Sequence, residues 1–329
     1  MKLASMARGH ANLRNQIRHQ NSKWRRAKQG AALVDLWLSF GSWYRYRSIS
    51  RPPYRSRAAM IEYPAGRIDY REQGSGPTVL FVPGSWSTGA LWRDVISLLG
   101  EGYRAVTTSL LGYGETEERR TPDDVSIERE VDVIEAVIQH TNSVVHLVGH
   151  SYGGTVCLAT ALRDRTKVAS LTLIEATPFS LLRRSGDLEL YEQVRAMSDA
   201  YARSYGNGER LAARSVIDFY GGEGSFDALP SRTRDYIVAT TPTNLLDWSS
   251  AWSCDVPLVA YAGITTPSLF VRGERGHPAV RRVAEVLSDA VSGSSLVTVP
   301  GASHFMTATH ATDVARLIGE HVAKVEMLR

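Results

Sequence analysis

The sequence predicts an α/β protein with a mainly parallel sheet and helices on both faces. Three observations lead to this class. From residue 60 onward, short runs rich in β-branched residues alternate with helical patterns, as in parallel sheets whose two faces are both covered. One of these runs ends in a glycine-rich turn that opens a helix. Residues 176–265 interrupt the alternation with little strand pattern, which indicates an inserted unit.

The strands are expected where apolar and β-branched residues cluster in runs of four to seven. A first segment, Arg67–Glu72, alternates like a half-buried antiparallel strand. The later runs are short and rich in β-branched residues, and they predict buried parallel strands. They are Thr78–Val82, Arg104–Thr108, Val144–Val148, Val168–Ile174, Ser268–Val271 and Leu296–Val299.

Helices are expected between these runs because apolar residues there recur every three or four positions. Ile127, Val131, Ile134 and Ile138 share one helix face, with Ser126 before them as a candidate N-cap. Residues 176–265 contain many aromatic residues, and a structureless loop of that length is improbable inside a domain. We therefore expect a helical cap at 176–265, inserted between a first core segment at 60–175 and a second at 266–329.

The charge of the chain divides it into two parts. The 329 residues have a formal net charge of +4. Residues 1–59 hold 13 Lys and Arg and one acid, Asp35, whereas the remainder holds 25 bases and 33 acids. We expect residues 1–59 to be a basic, poorly ordered N-terminal extension, although transit peptides and nucleic-acid-binding or membrane-surface tails share this composition. No nucleic-acid partner is expected for the acidic remainder.

Composition also excludes several protein classes. An apolar share of 43% is enough for a sizeable core and argues against general disorder. No apolar run approaches the roughly 18 residues that span a bilayer. Two cysteines, Cys157 and Cys254, cannot form a disulfide framework. We expect a cytoplasmic protein without a transmembrane segment; its oligomeric state stays open.

The strongest local motif is the turn Gly149–Gly154, which follows the strand Val144–Val148 and opens a helix. Such a G-x-S-x-G turn forces its serine, here Ser151, into a strained conformation, and a Cβ at Gly149 or Gly153 would collide across the turn. The serine hydroxyl then projects from the carboxyl edge of the sheet, where α/β proteins place their sites. Ser151 is therefore the candidate nucleophile.

A serine needs a base and an oxyanion hole before it can attack a carbonyl. His304 follows the last predicted strand, at the same sheet edge as Ser151, and is the candidate base. The turn after Thr78–Val82 contains Pro83 and Gly84. We expect the amides of Ser85 and Tyr152 to form the oxyanion hole, with Trp86 as a wall of the pocket or an alternative donor.

Residues 60–329 resemble the α/β-hydrolase superfamily, in its branch with a serine nucleophile and a helical cap. Its relatives include esterases, lactonases, carbon–carbon bond hydrolases and cofactor-free haloperoxidases. The resemblance disfavours epoxide hydrolases and haloalkane dehalogenases, whose nucleophile in this turn is an aspartate where this chain has Ser151. The motifs that carry it are Pro83–Trp86, Gly112–Thr116, Gly149–Gly154 and Gly301–His304.

The resemblance leaves the triad acid open. The family's usual aspartate follows the penultimate strand, where this chain has Gly276. Glu175, at the end of the preceding strand, occupies the superfamily's second location for this acid and is the first candidate, with Glu274 as the alternative. An acid at either place would fix the histidine tautomer and stabilise the imidazolium. The family also commonly has His-Gly where this chain has Pro83 and Gly84.

These residues predict a serine hydrolase that cleaves a carboxylic ester or lactone of a small, largely apolar substrate through an acyl-enzyme. Trp86 and Phe179 are candidate pocket residues. One alternative keeps the triad but makes the protein a carbon–carbon bond hydrolase or a haloperoxidase-like enzyme, with Arg183 and Arg184 as candidate ligands for a substrate carboxylate. Another is a non-catalytic binding protein. No spacing of His, Cys or Asp indicates a metal site, and no cofactor is expected.

Overall fold

A computed structural model describes residues 57–63 and 66–329. Eight strands form one sheet in the order β1-β2-β4-β3-β5-β6-β7-β8. β1 pairs antiparallel with β2, β2 pairs antiparallel with β4, and the pairs from β4 to β8 are parallel. The strands are β1 (Arg57–Tyr63), β2 (Gly66–Gly74), β3 (Thr78–Val82), β4 (Arg104–Thr108), β5 (Val145–His150), β6 (Val168–Ile174), β7 (Ser268–Gly273) and β8 (Ser295–Val299).

The helices cover both faces of the sheet and form the insertion. A 3₁₀ helix spans Gly89–Trp92, and three of the α-helices in the described residues are single turns. The α-helices are α1 (Arg93–Leu99), α2 (Glu128–Thr141), α3 (Tyr152–Arg163), α4 (Ser180–Ser185), α5 (Leu188–Gly206), α6 (Arg214–Gly221), α7 (Ser225–Ala228), α8 (Ser231–Ala239), α9 (Thr241–Ser253), α10 (Leu258–Tyr261), α11 (Pro278–Ala290), α12 (Met306–Thr309) and α13 (Ala311–Glu326).

Two apolar layers sandwich the sheet because successive side chains of a strand point to opposite faces. In β3, Leu80 and Val82 pack in the layer formed with α2, α3 and α11. Val79 and Phe81 pack in the opposite layer with α1 and α13. Every residue of β3 is buried, which explains its continuously apolar sequence.

The predicted fold class is confirmed: the sheet is mainly parallel, helices cover both faces, and helices α4–α10 are inserted between β6 and β7. The strand β1 is a difference from the sequence prediction. It begins at Arg57, so the boundary expected at Met60 falls inside a strand. The rest of the predicted N-terminal extension, residues 1–56, lies outside the described residues.

The sheet places four loops at one edge because the carboxyl ends of parallel strands lie together. The turn with Ser85 follows β3, Ser151 follows β5 directly, and Glu175 follows β6 directly. His304 lies in the loop after β8. Within the part of the chain that the structure describes, no helix is both long and apolar enough to cross a membrane.

Candidate active site

The turn between β5 and α3 holds Ser151 in a backbone conformation that non-glycine residues rarely adopt. Its φ is 55° and its ψ is −126°, and such strain persists only where the surroundings impose it. The neighbouring glycines are required by space. A Cβ on Gly149 would lie 2.7 Å from the Gly153 carbonyl oxygen, and one on Gly153 would lie 2.1 Å from the Pro83 carbonyl oxygen.

The structure brings Ser151, His304 and Glu175 into one hydrogen-bonded chain. His304 Nε2 lies 2.9 Å from Ser151 Oγ, and His304 Nδ1 lies 2.9 Å from Glu175 Oε2. All three residues are buried. An Nδ1–H donated to the carboxylate leaves Nε2 as the acceptor for the serine proton. This arrangement can deprotonate Ser151 as it attacks an electrophile.

Glu175 reaches His304 from the end of β6 through a left-handed backbone, with φ 46°. Its second oxygen, Oε1, accepts a hydrogen bond from the Gly273 amide at 2.7 Å. The carboxylate fills the space beside Gly276, where a Cβ would lie 2.4 Å from Oε1. Glu274, the alternative acid, instead accepts from the Gly301 amide at 2.7 Å. The glycine at 276 therefore makes room for an acid supplied by the neighbouring strand.

Two aromatic rings pack against the His304 imidazole. Tyr220 of α6 stacks on it with a centroid distance of 4.1 Å and an interplanar angle of 15°, and His150 lies at 4.9 Å. His150 Nε2 donates to the His304 carbonyl at 2.8 Å. Burial, and then the neighbouring His304 charge, lower the pKa of His150 to about 3. His150 thus stays neutral at ordinary pH and holds the His304 backbone.

The two predicted oxyanion residues flank the nucleophile. Tyr152 is the first residue of α3, where backbone N–H groups have no acceptor within the helix. Gly84 packs closely against Ser151, since a Cβ there would lie 2.9 Å from the Ser151 Cβ. This contact brings the turn that contains Ser85 next to the nucleophile. Trp86, the next residue, has a φ of 57°.

A cavity of about 400 Å³ lies between this edge of the sheet and the inserted helices, and Ser151 and His304 line it. Both predicted pocket residues, Trp86 and Phe179, are part of its lining. Phe179 stacks on Trp248 at 6.0 Å. Further apolar side chains in the lining are Val216, Ile217, Tyr220, Leu229, Trp248 and Phe305.

The arginines proposed from sequence as carboxylate ligands lie elsewhere. Arg183 and Arg184 are about half exposed, and both pair with Asp255, at 2.5 and 2.7 Å. The arginine in the cavity lining is Arg232 of α8. Among the residues that the structure describes, no group of three or more His, Cys, Asp or Glu side chains is arranged to hold a metal ion.

A buried polar cluster beside the cavity was not anticipated from sequence. Asp247 of α9 lies 2.8 Å from Arg120, which also contacts Glu130 at 3.1 Å and Glu118 at 2.8 Å. Burial is the largest cause that raises the pKa of Asp247, and it raises that of Glu130 to about 7. No sequence pattern marks Asp247, because an acid on a helix ordinarily indicates a solvated face.

Comparison with known proteins assigns the chain to a family. The model of the alpha/beta hydrolase family matches residues 79–317. The chain belongs to this family. The matched residues include Ser151, Glu175 and His304 together with the inserted helices. Family membership supports hydrolysis as the general activity of this α/β-hydrolase.

Individual relatives are similar to this α/β-hydrolase over different shares of its length. A 2-(acetamidomethylene)succinate hydrolase of Mesorhizobium japonicum is 26% identical over 253 residues, which are 73% of this chain and 87% of the relative. An epoxide hydrolase of Caballeronia sordidicola is 33% identical over 144 residues, 39% of this chain and 43% of the relative. An esterase structure from Exiguobacterium antarcticum superposes with a TM-score of 0.65 at 20% identity, over 82% of this chain and all of that one.

Proposed function

We propose that this chain is a serine hydrolase that cleaves a carboxylic ester or lactone of a small, largely apolar substrate. The single observation that supports this most directly is the chain Ser151–His304–Glu175, with both hydrogen bonds at 2.9 Å, at the edge of a cavity. A serine in the turn after β5 would form an acyl-enzyme with a carbonyl substrate, whereas the family's epoxide hydrolases and dehalogenases have an aspartate at that position.

In the proposed first half-reaction, Ser151 Oγ attacks the carbonyl carbon while His304 Nε2 accepts the hydroxyl proton. The Ser85 and Tyr152 amides would donate to the oxygen that becomes negatively charged. His304 then gives its proton to the leaving alkoxide, and the carbon–oxygen bond breaks. Glu175 keeps the Nδ1–H oriented and stabilises the imidazolium while it exists.

In the second half-reaction, water attacks the acyl carbon and His304 takes one of its protons. The tetrahedral intermediate collapses, the acid leaves, and Ser151 recovers its proton from His304. A cavity of about 400 Å³ with mainly apolar walls favours short to medium acyl chains or a single aromatic ring. The stacked pair Phe179 and Trp248 supplies a flat wall for such a group.

The test combines labelling with turnover. Wild-type protein should react covalently with a fluorophosphonate probe at Ser151 and should hydrolyse p-nitrophenyl esters of graded chain length. Ser151→Ala should lose labelling and about 10⁶-fold of kcat. The matched control is Ser249→Ala, since Ser249 is exposed and its hydroxyl bonds only within α9. Ester turnover that survives in Ser151→Ala would contradict the mechanism.

A second candidate is hydrolysis, by the same three residues, of an ester whose acyl group has a carboxylate. Arg232 in the cavity lining favours it, because guanidinium groups bind carboxylates in bidentate geometry. The test compares kcat/KM for matched p-nitrophenyl esters with a terminal methyl or a terminal carboxylate. A preference for the carboxylate that Arg232→Gln abolishes would favour this candidate over the first.

A further inference from the structure

We propose that Asp247, in the cap helix α9, is a positioning residue that holds the oxyanion hole in its working geometry. The inference rests on the proposed serine hydrolysis and extends it to the inserted helices. It assigns part of the catalytic geometry to a side chain that lies almost a hundred residues away from Ser151 in the chain. Asp247 itself is 2% exposed and lies at the cavity wall.

Asp247 binds the oxyanion turn directly. Its Oδ2 accepts a hydrogen bond from Ser85 Oγ at 2.5 Å and another from Tyr113 Oη at 2.6 Å. Its Oδ1 accepts from Arg120 Nη1 at 2.8 Å. Hydrogen bonds to an ionised carboxylate are shorter and about twice as strong as neutral ones. The Ser85 side chain is therefore held by a carboxylate of the cap.

The next residue of the turn is held indirectly by the same carboxylate. Trp86 has a φ of 57°, a left-handed conformation that costs energy for a bulky side chain. The Trp86 backbone lies close to the Tyr113 phenol, and that phenol donates to Asp247. Two successive residues of a strained turn thus depend on one cap side chain for their position.

Helix α9 also contacts the residue that supplies the second amide donor. The hydroxyl of Ser250, one turn after Asp247, approaches the phenol of Tyr152, and both oxygens are buried. Tyr152 itself is 4% exposed. Both predicted donors, Ser85 and Tyr152, therefore have their side chains against the same face of α9. Packing of this helix on the core therefore contacts both donor residues.

The surroundings of Asp247 fix it rigidly. Arg120 has no exposed side-chain area and also contacts Glu118 and Glu130. A buried network of ion pairs has few alternative arrangements, since a broken contact leaves a buried charge without compensation. An oxyanion donor must keep its place while charge develops, because preorganised donors avoid reorganisation during the reaction. The network supplies that rigidity.

The test uses Asp247→Asn, Ser85→Ala and the double variant with p-nitrophenyl esters. We expect Asp247→Asn to lower kcat by roughly 10- to 100-fold, since a misplacement of about 1 Å can cost 100-fold. KM should change less than about threefold, because the lost contact acts in the transition state. The double variant should lose no more than the worse single variant, as two residues of one interaction do.

Controls separate this inference from the proposed function. Asp187→Asn breaks another cap–core ion pair, with Arg282 at 2.9 Å, and should keep wild-type kcat. The rate of Ser151 labelling by fluorophosphonate is measured as well, so the inference is testable even if esters are poor substrates. If Asp247→Asn does not fold, Tyr113→Phe and Ser85→Ala each remove one hydroxyl and should show the same loss of kcat.

Three results would overturn the inference: unchanged kcat and labelling in Asp247→Asn, a rise in KM alone, or losses that multiply in the double variant. Each would leave the serine mechanism intact, provided that Ser151→Ala is inactive. Conversely, failure of wild-type protein to label at Ser151 would refute the proposed function first. The two hypotheses therefore fail on different measurements.

Discussion

Gly276→Ala tests whether Glu175 is the acid that orients His304. The Cβ added by this substitution would lie 2.4 Å from Glu175 Oε1, whereas carbon and oxygen atoms that are not bonded need more than about 3 Å. The carboxylate must therefore shift by about 0.6 Å to reach that limit, and by about 1 Å to reach an ordinary contact of 3.4 Å, which disturbs its bonds to the Gly273 amide and the His304 ring. A displacement of about 1 Å at a catalytic group can cost 100-fold in rate.

The assay is kcat/KM with p-nitrophenyl esters across pH 5–9, together with thermal melting. We expect Gly276→Ala to lose about 10- to 100-fold of kcat/KM while it remains folded. Gly206→Ala is the matched control, because no atom lies within 4 Å of a Cβ at Gly206. That variant should keep the wild-type rate and profile.

One result would refute the reasoning. If Gly276→Ala keeps the wild-type rate and pH profile, catalysis does not depend on the observed position of the Glu175 carboxylate. The double variant Gly276→Ala/Glu175→Gln provides a second check. Once the acid is neutral, adding the methyl group should cost little further activity, because the two substitutions damage one interaction.

Three other changes should have measurable effects. Gly153→Ala places a Cβ 2.1 Å from the Pro83 carbonyl and should destabilise the fold by about 1–3 kcal/mol in denaturant titrations. Tyr220→Leu should lower kcat by up to about tenfold while Tyr220→Phe keeps the stack on His304 and the rate. Burial raises the pKa of Glu130 from 4.5 to about 7, so its stabilising contribution is complete below pH 4.5 and is lost as pH rises through 7. The melting temperature of Glu130→Gln should accordingly fall less than that of wild type between pH 5 and 8.

The parts of the fold that could be predicted from the sequence depend on local chemistry. The strands β3, β4 and β6 have the predicted bounds, because strands buried on both faces are rich in apolar and β-branched residues. The turn Gly149–Gly154 could also be recognised from the sequence, since its geometry requires the glycines on either side of Ser151. In contrast, β1 is an edge strand at the end of the basic segment, and its first residues, Arg57–Ala59, lack an apolar run.

The residues of the candidate site likewise fall into those that local sequence predicted and those that it did not. Ser151, Glu175 and His304 each follow a strand directly or within a short loop, so topology alone places them at one edge. Tyr220 and Asp247 lie on inserted helices, and their positions depend on how those helices pack on the core. Their sequence surroundings indicate only an aromatic helix and an acidic helix residue. Long-range packing of this kind leaves no periodic or motif signal in a single sequence.

The inserted helices contact the core site at two chemically different points. Tyr220 of α6 covers the face of the His304 ring, and Asp247 of α9 binds the Ser85 hydroxyl. The first contact acts on the base and the second on the predicted oxyanion donor. A cap that only shielded substrate would need apolar contacts and no buried carboxylate at this position. Because the carboxylate is buried and paired at a desolvation cost, its contact with the oxyanion turn is the feature that this arrangement has to explain. Positioning of the amide donors explains it.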